Sequence, residues 1–322
     1  MNRILAFAFM TTGAVVAFAD SPTHSFITAD SSKKRIAVIG EKGETLWETQ
    51  IGPLHDLHVL KNGNVLFQRN WTQIVEVNPQ NNETVWSYDA KKSPGNEGRK
   101  VEVHAFQRLA NGNTMVVESG TSRILEVNAD GKVTHTVALR VQTPHPHTDT
   151  RIVRKLPSGN YLVCHEADGL VREYTTEGET AWEYKIPLFG KTAAKGHGLE
   201  AFGNKCFSAI RLANGNTLIA TGNGHSVIEV TEEKKIAWQL HQNDLLNIQL
   251  AWVTTLQELP NGNIVIGNCH AGSNNPQIIE VNREKEVVWT FHDFERFGNA
   301  TTNTQIISTN GNYFIAEAGV SR

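Results

Sequence analysis

Sulfur is scarce in this chain, with three cysteines and three methionines in 322 residues. Cys164, Cys206 and Cys269 are too few for a disulfide framework, and an odd number leaves at least one thiol without a partner. An excess of charge of one sign is also missing. Lys and Arg number 30 against 33 Asp and Glu, for a net charge of -3. So mild a balance excludes a binder that tracks nucleic-acid phosphates with a basic face. Helical patterning is nearly absent. Beyond residue 19 no apolar run approaches the roughly 20 residues that a membrane-spanning helix needs, so no transmembrane span is expected.

The one long apolar run stands at the start. Met1-Asn2-Arg3 is followed by Ile4 to Phe18, and the run closes on Ala17-Phe18-Ala19 before Asp20. A charged beginning, a short apolar middle and an Ala-x-Ala site are the parts of a secretory signal peptide. Residues 1-19 are therefore expected to be cleaved, leaving residues 20-322 as a single secreted or periplasmic domain.

What is abundant is a repeated turn. An Asn/Ser-Gly-Asn beat occurs at Asn62-Gly63-Asn64, Asn111-Gly112-Asn113, Ser158-Gly159-Asn160, Asn214-Gly215-Asn216, Asn261-Gly262-Asn263 and Asn310-Gly311-Asn312. Successive glycines are 49, 47, 56, 47 and 49 residues apart. Periods of about 40 to 50 residues mark propeller blades. Apolar stretches flank each beat, as Leu57 to Leu60 and Val65 to Phe67 do the first, and Asn-Gly tolerates the positive φ of a tight hairpin. One beat thus marks one hairpin. A third strand recurs as Arg123 to Asn128, Val171 to Tyr174, Val227 to Val230 and Ile278 to Asn282, and a fourth carries Trp86, Trp182, Trp238 and Trp289. Such periodic tryptophans on outer strands are expected to wedge between blades.

These units predict an all-β fold, a propeller of four-stranded blades. Five units are complete. Residues 26-50 supply a second, third and fourth strand, with Trp47 in place, and residues 301-322 supply a first strand and a spare second one. Six blades closed by pairing the N- and C-terminal segments is the preferred count, and seven with two incomplete is the alternative. Closure removes the free sheet edges that invite aggregation. In either ring a Cys164 to Cys206 bridge between neighbouring blades stays open.

The pattern of Leu259 to Asn263 followed by Ile278 to Asn282 and Trp289 resembles the quinoprotein-like propeller superfamily. With His55-Asp56 opening a first strand that runs to Asn62-Gly63-Asn64, the chain is similar in particular to the bacterial arylsulfotransferase propellers. The resemblance spans nearly all of residues 20-322 and rests on turn and packing residues. It implies an activity in which a central-cavity histidine accepts a sulfuryl group while further His and Arg residues hold the sulfate, with no one position here matched to that histidine. Quinone dehydrogenases of the superfamily carry adjacent cysteines, whereas these three stand apart, so the cofactor is left unassigned.

Polar chemistry collects on the blade face opposite the Asn-Gly turns. Counting back from each beat puts His55, His104, Arg151, Phe207, Thr254 and Asn303 at equivalent points of the innermost strands. Counting forward gives Arg69, Glu118, His165, Thr221, Asn268 and Glu317 at the ends of the second strands, with Asp30 in the N-terminal segment. Nearby lie Asp56, His145, His147, Glu166, Trp71, Trp252, His225 and His270. Groups of this kind aimed at one axis stay unsatisfied unless a ligand, water or ion sits among them. His55, His104 and Arg151 are the candidates for chemistry; Arg69, Glu118, His165, Thr221, Asn268, His270 and Asn303 are the candidates for binding. Arg151 and Arg69 could fork to an anion, and His55 or His104 could exchange a proton. Metal ligation by His55, His104 and His165 is chemically possible, but no close-spaced ligand motif is present and no metal is assigned. The insertion from Leu188 to Lys205 is either a lid over this mouth or an ordinary loop.

Two functions fit. One is a secreted or periplasmic module that binds a small anionic or saccharide ligand, or a partner, at the mouth. The other is an enzyme working through the axial histidines, an arylsulfotransferase-like transferase or a saccharide lyase or hydrolase.

Overall fold

The computed structural model describes residues 21-322. The expected signal peptide lies outside the described residues. The chain forms six sheets arranged as propeller blades, five of four strands and one of five. Every pairing between neighbouring strands is antiparallel, as hairpin connections require.

The first five beats make their turn in the same way, whereas at the sixth Asn310 itself has a φ of 49° and its side chain accepts from Thr23 N-H at 2.9 Å. In those five the glycine has positive φ, 82° at Gly63, 87° at Gly112 and 93° at Gly159. The first Asn accepts the backbone N-H two residues on, as Asn62 does from Asn64 at 3.0 Å and Asn214 from Asn216 at 2.9 Å. In four blades the second Asn reaches the glutamate of the third strand, whereas Asn113 donates to Thr134 at 3.1 Å. Asn64 donates to Glu76 at 2.7 Å, Asn160 to Glu173 at 2.6 Å, Asn216 to Glu229 at 2.6 Å and Asn263 to Glu280 at 2.7 Å. Each of these glutamates also grips the next blade. Glu76 pairs with Arg108 at 2.8 Å, Glu173 with Arg211 at 2.6 Å, Glu229 with Arg283 at 2.5 Å and Glu280 with His24 at 2.7 Å. One repeated acid therefore ties the turn of its own blade to the blade that follows.

The apolar core lies between blades. Leu218, Val227 and Leu240 of one sheet pack on Leu256, Ile264 and Ile279 of the next, and Leu66 and Ile74 pack on Val103, Phe106 and Val116. At about 1.5 to 3 kcal/mol for each fully buried aliphatic side chain, these layers hold the ring together. The outer tryptophans complete the layers. The indole N-H of Trp47 donates to Asn82 at 2.8 Å, that of Trp182 to the Glu232 carbonyl at 3.0 Å and that of Trp238 to the Arg283 carbonyl at 2.8 Å, each acceptor one blade on. Trp289 meets His24 edge-on at 4.8 Å.

The ring closes as expected. Strand Thr301–Thr309 pairs with His24–Asp30, placing Asn303 opposite Ala29 and Ile306 opposite Phe26. That strand is innermost in the blade completed by Arg35–Ile39 and Thr45–Gln50. The spare strand belongs to no seventh blade. It is the two-residue Asn312–Tyr313, which pairs on the axial side of Thr301–Thr309. From there the chain crosses the turn face of the axis: Arg211 N-H donates to the Gly319 carbonyl at 3.0 Å and Glu258 N-H to the Ser321 carbonyl at 2.8 Å. Arg322 is buried inside, bonded to His58 Nδ1 at 2.9 Å and to Asn303 at 3.0 Å. A groove of about 960 Å³ beside this tail is lined by Leu60, Leu109, Leu156 and Ile315. All three cysteines are buried free thiols, so Cys164 and Cys206 form no bridge.

Candidate functional site

The mouth opposite the turns is built where the innermost strands begin. In strand Glu102–Arg108 the register slips between Val103 and Ala105, so that His104 sits in a bulge. Bulges re-aim side chains. His104 is fully buried, and its Nδ1 lies 2.7 Å from Nδ1 of His55 on the preceding blade. Its Nε2 lies 3.0 Å from the Pro146 carbonyl and 3.3 Å from Glu102 Oε2. The same carboxylate oxygen accepts from Nδ1 of His147 at 2.7 Å. Trp71 borders the group, its ring centroid 4.8 Å from His55, 5.3 Å from His104 and 5.1 Å from His147.

Burial drives the His55 imidazole well below its ordinary pKa, helped by Arg151, His104 and His147. Burial also takes His104 down to about 4, against the opposing pull of Glu102. Burial would raise Glu102, but bonds from His104 and His147 hold it at about 2. Both buried rings are thus neutral at pH 7, and the network fixes their protons. Nε2 of His104 faces only acceptors and must carry its hydrogen, so its Nδ1 accepts from His55. His55 then has its proton on Nδ1 and a lone pair on Nε2.

The second half of the mouth is formed by Trp252, His197 and His270. His197, from the Leu188 to Lys205 insertion, stacks on Trp252 at 4.8 Å, with His270 at 5.3 Å. Lys205 lies 6.0 Å from the Trp252 ring centroid and 3.4 Å from Glu166. Between the halves, Ile152, Phe207, Trp252 and Cys269 pack into a small apolar floor. Phe207 meets the His55 ring at 5.5 Å. The insertion therefore covers part of the mouth and supplies one of its aromatic stacks.

Of the residues singled out in the sequence, His55, His104 and Arg151 are brought together. Arg151, however, is turned to the protein: its guanidinium pairs with Glu166 and donates to the His147 and Thr150 carbonyls. Among the binding candidates only His270 faces the mouth. Arg69 is exposed and reaches outward to Thr84 at 3.3 Å. Glu118 accepts from Tyr88 at 2.6 Å, Asn96 at 2.9 Å and Arg123 at 2.8 Å. His165 is held between the Asp149 carbonyl at 3.1 Å and the Tyr174 hydroxyl at 2.9 Å. Thr221 bonds to Ser226 at 2.9 Å, Asn268 to Ala251 N-H at 2.8 Å, and Asn303 to the His55 carbonyl at 2.9 Å. These side chains brace loops and strands. Glu102 was missed: its strand is bulged at His104, which breaks the simple alternation of faces, and its carboxylate meets His104 and His147 only in three dimensions.

Six antiparallel blades, the glutamate and asparagine ties at four of the turns and the terminal closure define a quinoprotein-like β-propeller. A family model described as outer membrane protein assembly factor BamB matches residues 32–291, and the chain belongs to this family. A protein of unknown function from Bacteroides caccae has a similar structure, with a TM-score of 0.71 and 26% identity over 88% of this chain and 98% of that one. A streptogramin B lyase shares the ring at a TM-score of 0.55 and 13% identity, over 87% of this chain and 86% of its own. A catalytically inactive virginiamycin B lyase from Staphylococcus aureus, solved with quinupristin, does so at 0.55 and 12%, over 87% and 88%. At such identities these two share the fold alone. No curated protein matches the chain. Among the described residues no helix is long and apolar enough to cross a membrane.

Proposed function

We propose that this chain is a secreted or periplasmic binding module whose axial mouth takes a small saccharide or anionic ligand. The observation that carries this reading is the aromatic cluster at the mouth, an apolar floor of Phe207 and Trp252 with the Trp71 indole and the imidazoles of His55, His104, His147 and His197 around it. Aromatic faces suit the apolar face of a sugar ring, and neutral imidazoles can both accept from and donate to hydroxyls. For an anion the cation on offer is Lys205, whose side chain is 44% exposed, rather than Arg151, which Glu166 occupies. The floor above and the tail across the opposite face argue for a shallow recognition surface rather than a through-channel.

The test is a thermal-shift screen of sulfated and uronic saccharides, because a ligand that binds only the folded state raises its melting temperature. A compound that stabilises the wild type should lose about ten-fold or more in affinity with Trp71→Ala and with His55→Ala, the loss of a good contact or hydrogen bond. A screen without a single shift, or a hit indifferent to both variants, would defeat the proposal.

One observation favours the enzymatic alternative. His55 presents a lone pair on Nε2 while His104 and Glu102 fix its tautomer, which orients the ring to take a proton from a bound substrate, with burial making it a weak base. A transferase of the arylsulfotransferase kind, or a saccharide lyase or hydrolase, would use it. Turnover that disappears in His55→Ala while melting is retained would support catalysis over simple binding.

A further inference from the structure

We propose that Glu102, His104 and His147 form a binding site for one borderline divalent cation, Zn²⁺ or a first-row neighbour, at the edge of the mouth. The site goes beyond the reading above and does not depend on any organic ligand binding there. One donor atom from each of the three residues lies within 4.8 Å of the other two. Glu102 Oε2 is shared, 3.3 Å from His104 Nε2 and 2.7 Å from His147 Nδ1. Donors about 2.0 to 2.2 Å from a tetrahedral metal stand roughly 3.3 to 3.6 Å from one another, so small side-chain adjustments admit the ion. Two imidazoles and a carboxylate, with a fourth position for water, form a donor set that Zn²⁺ accepts.

The supporting groups also fit. Glu102 and His104 stand on one strand, and His147 comes from a turn pinned by Thr148 N-H and Asp149 N-H on the His145 carbonyl at 3.2 Å and 3.1 Å. Ligating histidines usually use the second ring nitrogen as a donor to a fixed acceptor. His104 has such an acceptor in Nδ1 of His55 at 2.7 Å. A metal on His104 Nε2 requires the proton on Nδ1, which then donates to His55, whose own proton moves to Nε2. Occupancy therefore turns His55 Nε2 from an acceptor into a donor. His104 gives up its bond to the Pro146 carbonyl, which lies in a partly exposed turn that water can reach. The carboxylate offsets one charge of the cation, and the nearby Arg151 is matched by Glu166. His147, with 41% of its side chain exposed, provides the route in.

The test is isothermal titration of Zn²⁺ into the full chain after dialysis against a chelator. The wild type should take up one equivalent, and Glu102→Gln and His147→Ala should each weaken binding about ten-fold or more, whereas His292→Ala, an exposed histidine away from the site, should not. His147 is half-exposed and Glu102→Gln is isosteric, so both variants should stay folded, which a melting curve checks. Cu²⁺ should quench tryptophan emission in the wild type and quench less in Trp71→Phe, since Trp71 is the indole beside the site. No uptake by folded wild type, full affinity in both ligand variants, loss on His292→Ala alone, or quenching unchanged by Trp71→Phe would each overturn the site.

Discussion

Arg151 and Glu166 form an ion pair sealed beneath the mouth, their side chains 5% and 2% exposed. Burial lowers the Arg151 pKa, opposed by the charge of Glu166. Removing one member of such a pair strands the other, which costs about 3 to 5 kcal/mol, whereas replacing both by apolar residues is often neutral. Arg151→Ala should therefore lower stability toward the low end of that range, since Lys205 stays 3.4 Å from Glu166, and Arg151→Met combined with Glu166→Leu should recover most of it. Denaturant midpoints of the three proteins check this. Equal midpoints for Arg151→Ala and wild type would mean that the pair does not hold the mouth.

Acid should weaken the fold well above the carboxylate range. Burial brings His58 and His104 down to about 4 and His165 to about 3, while in the unfolded chain they return to about 6.5. Between those values the unfolded state binds protons that the folded state refuses, so stability falls as pH drops below about 6.5 and levels off near the folded values. Each histidine contributes at most about 1.4 kcal/mol per pH unit in that window. Asp56 acts lower down. Burial would raise its pKa, but Arg154 and His58 bring it below the usual carboxylate range, so its contribution persists until pH falls through about 4. Denaturant midpoints should be flat from pH 8 to 7 and clearly lower at pH 5. A profile flat down to pH 5 would show that these rings titrate normally.

The ring was legible in the sequence because its signals are local. Asn-Gly turns, strand alternation and Trp182 or Trp238 on an outer strand each depend on a few neighbouring residues, and their regular spacing supplies the rest. The site was half legible. A counting rule picks one residue per innermost strand, and it reaches His55 just before its strand and His104 in a bulge, but it cannot see which way a side chain turns at a strand end. Glu118, His165 and Asn268 point back into the frame because a buried polar group must find partners, and Tyr88, Tyr174 and Ala251 were nearer than the axis. Glu102 escaped because the rule chose one residue per strand. The Glu166 partner of Arg151 follows from three-dimensional packing alone.

The tryptophan staples should be worth several kcal/mol. Trp182 is 8% exposed, bonds across to the Glu232 carbonyl and carries the Arg211 guanidinium 5.3 Å from its ring centroid. Trp182→Ala should cost about 3 to 5 kcal/mol. Trp182→Phe keeps most of the apolar area but loses the indole N-H bond, so its cost should be smaller, about 1 to 3 kcal/mol with the carbonyl acceptor left unpaired. Ligand or metal affinity at the mouth should be unchanged in Trp182→Phe. A variant that melts like the wild type would show the inter-blade layers to be redundant.

Ring closure should depend on one strand and not on the tail beyond it. Strand Thr301–Thr309 completes the blade begun by His24–Asp30, so a chain ending at residue 300 exposes the backbone edge of His24–Asp30 along the axis. Unpaired edges template intermolecular pairing. A chain ending at residue 313 retains that strand and the Asn312–Tyr313 pairing but loses the crossing segment and Arg322. Without Arg322, Asn303 Oδ1 and His58 Nδ1 lose a donor, yet Asp56 keeps both of its bonds to Arg154, at 2.7 Å and 2.9 Å. The shorter chain should aggregate or lose its cooperative transition. The longer one should stay monodisperse and unfold in one step at a somewhat lower temperature, with the axis open to solvent from the turn face. Light scattering and melting curves on the two truncations separate these outcomes, and a soluble, cooperative chain ending at residue 300 would show that the ring does not need its terminal clasp.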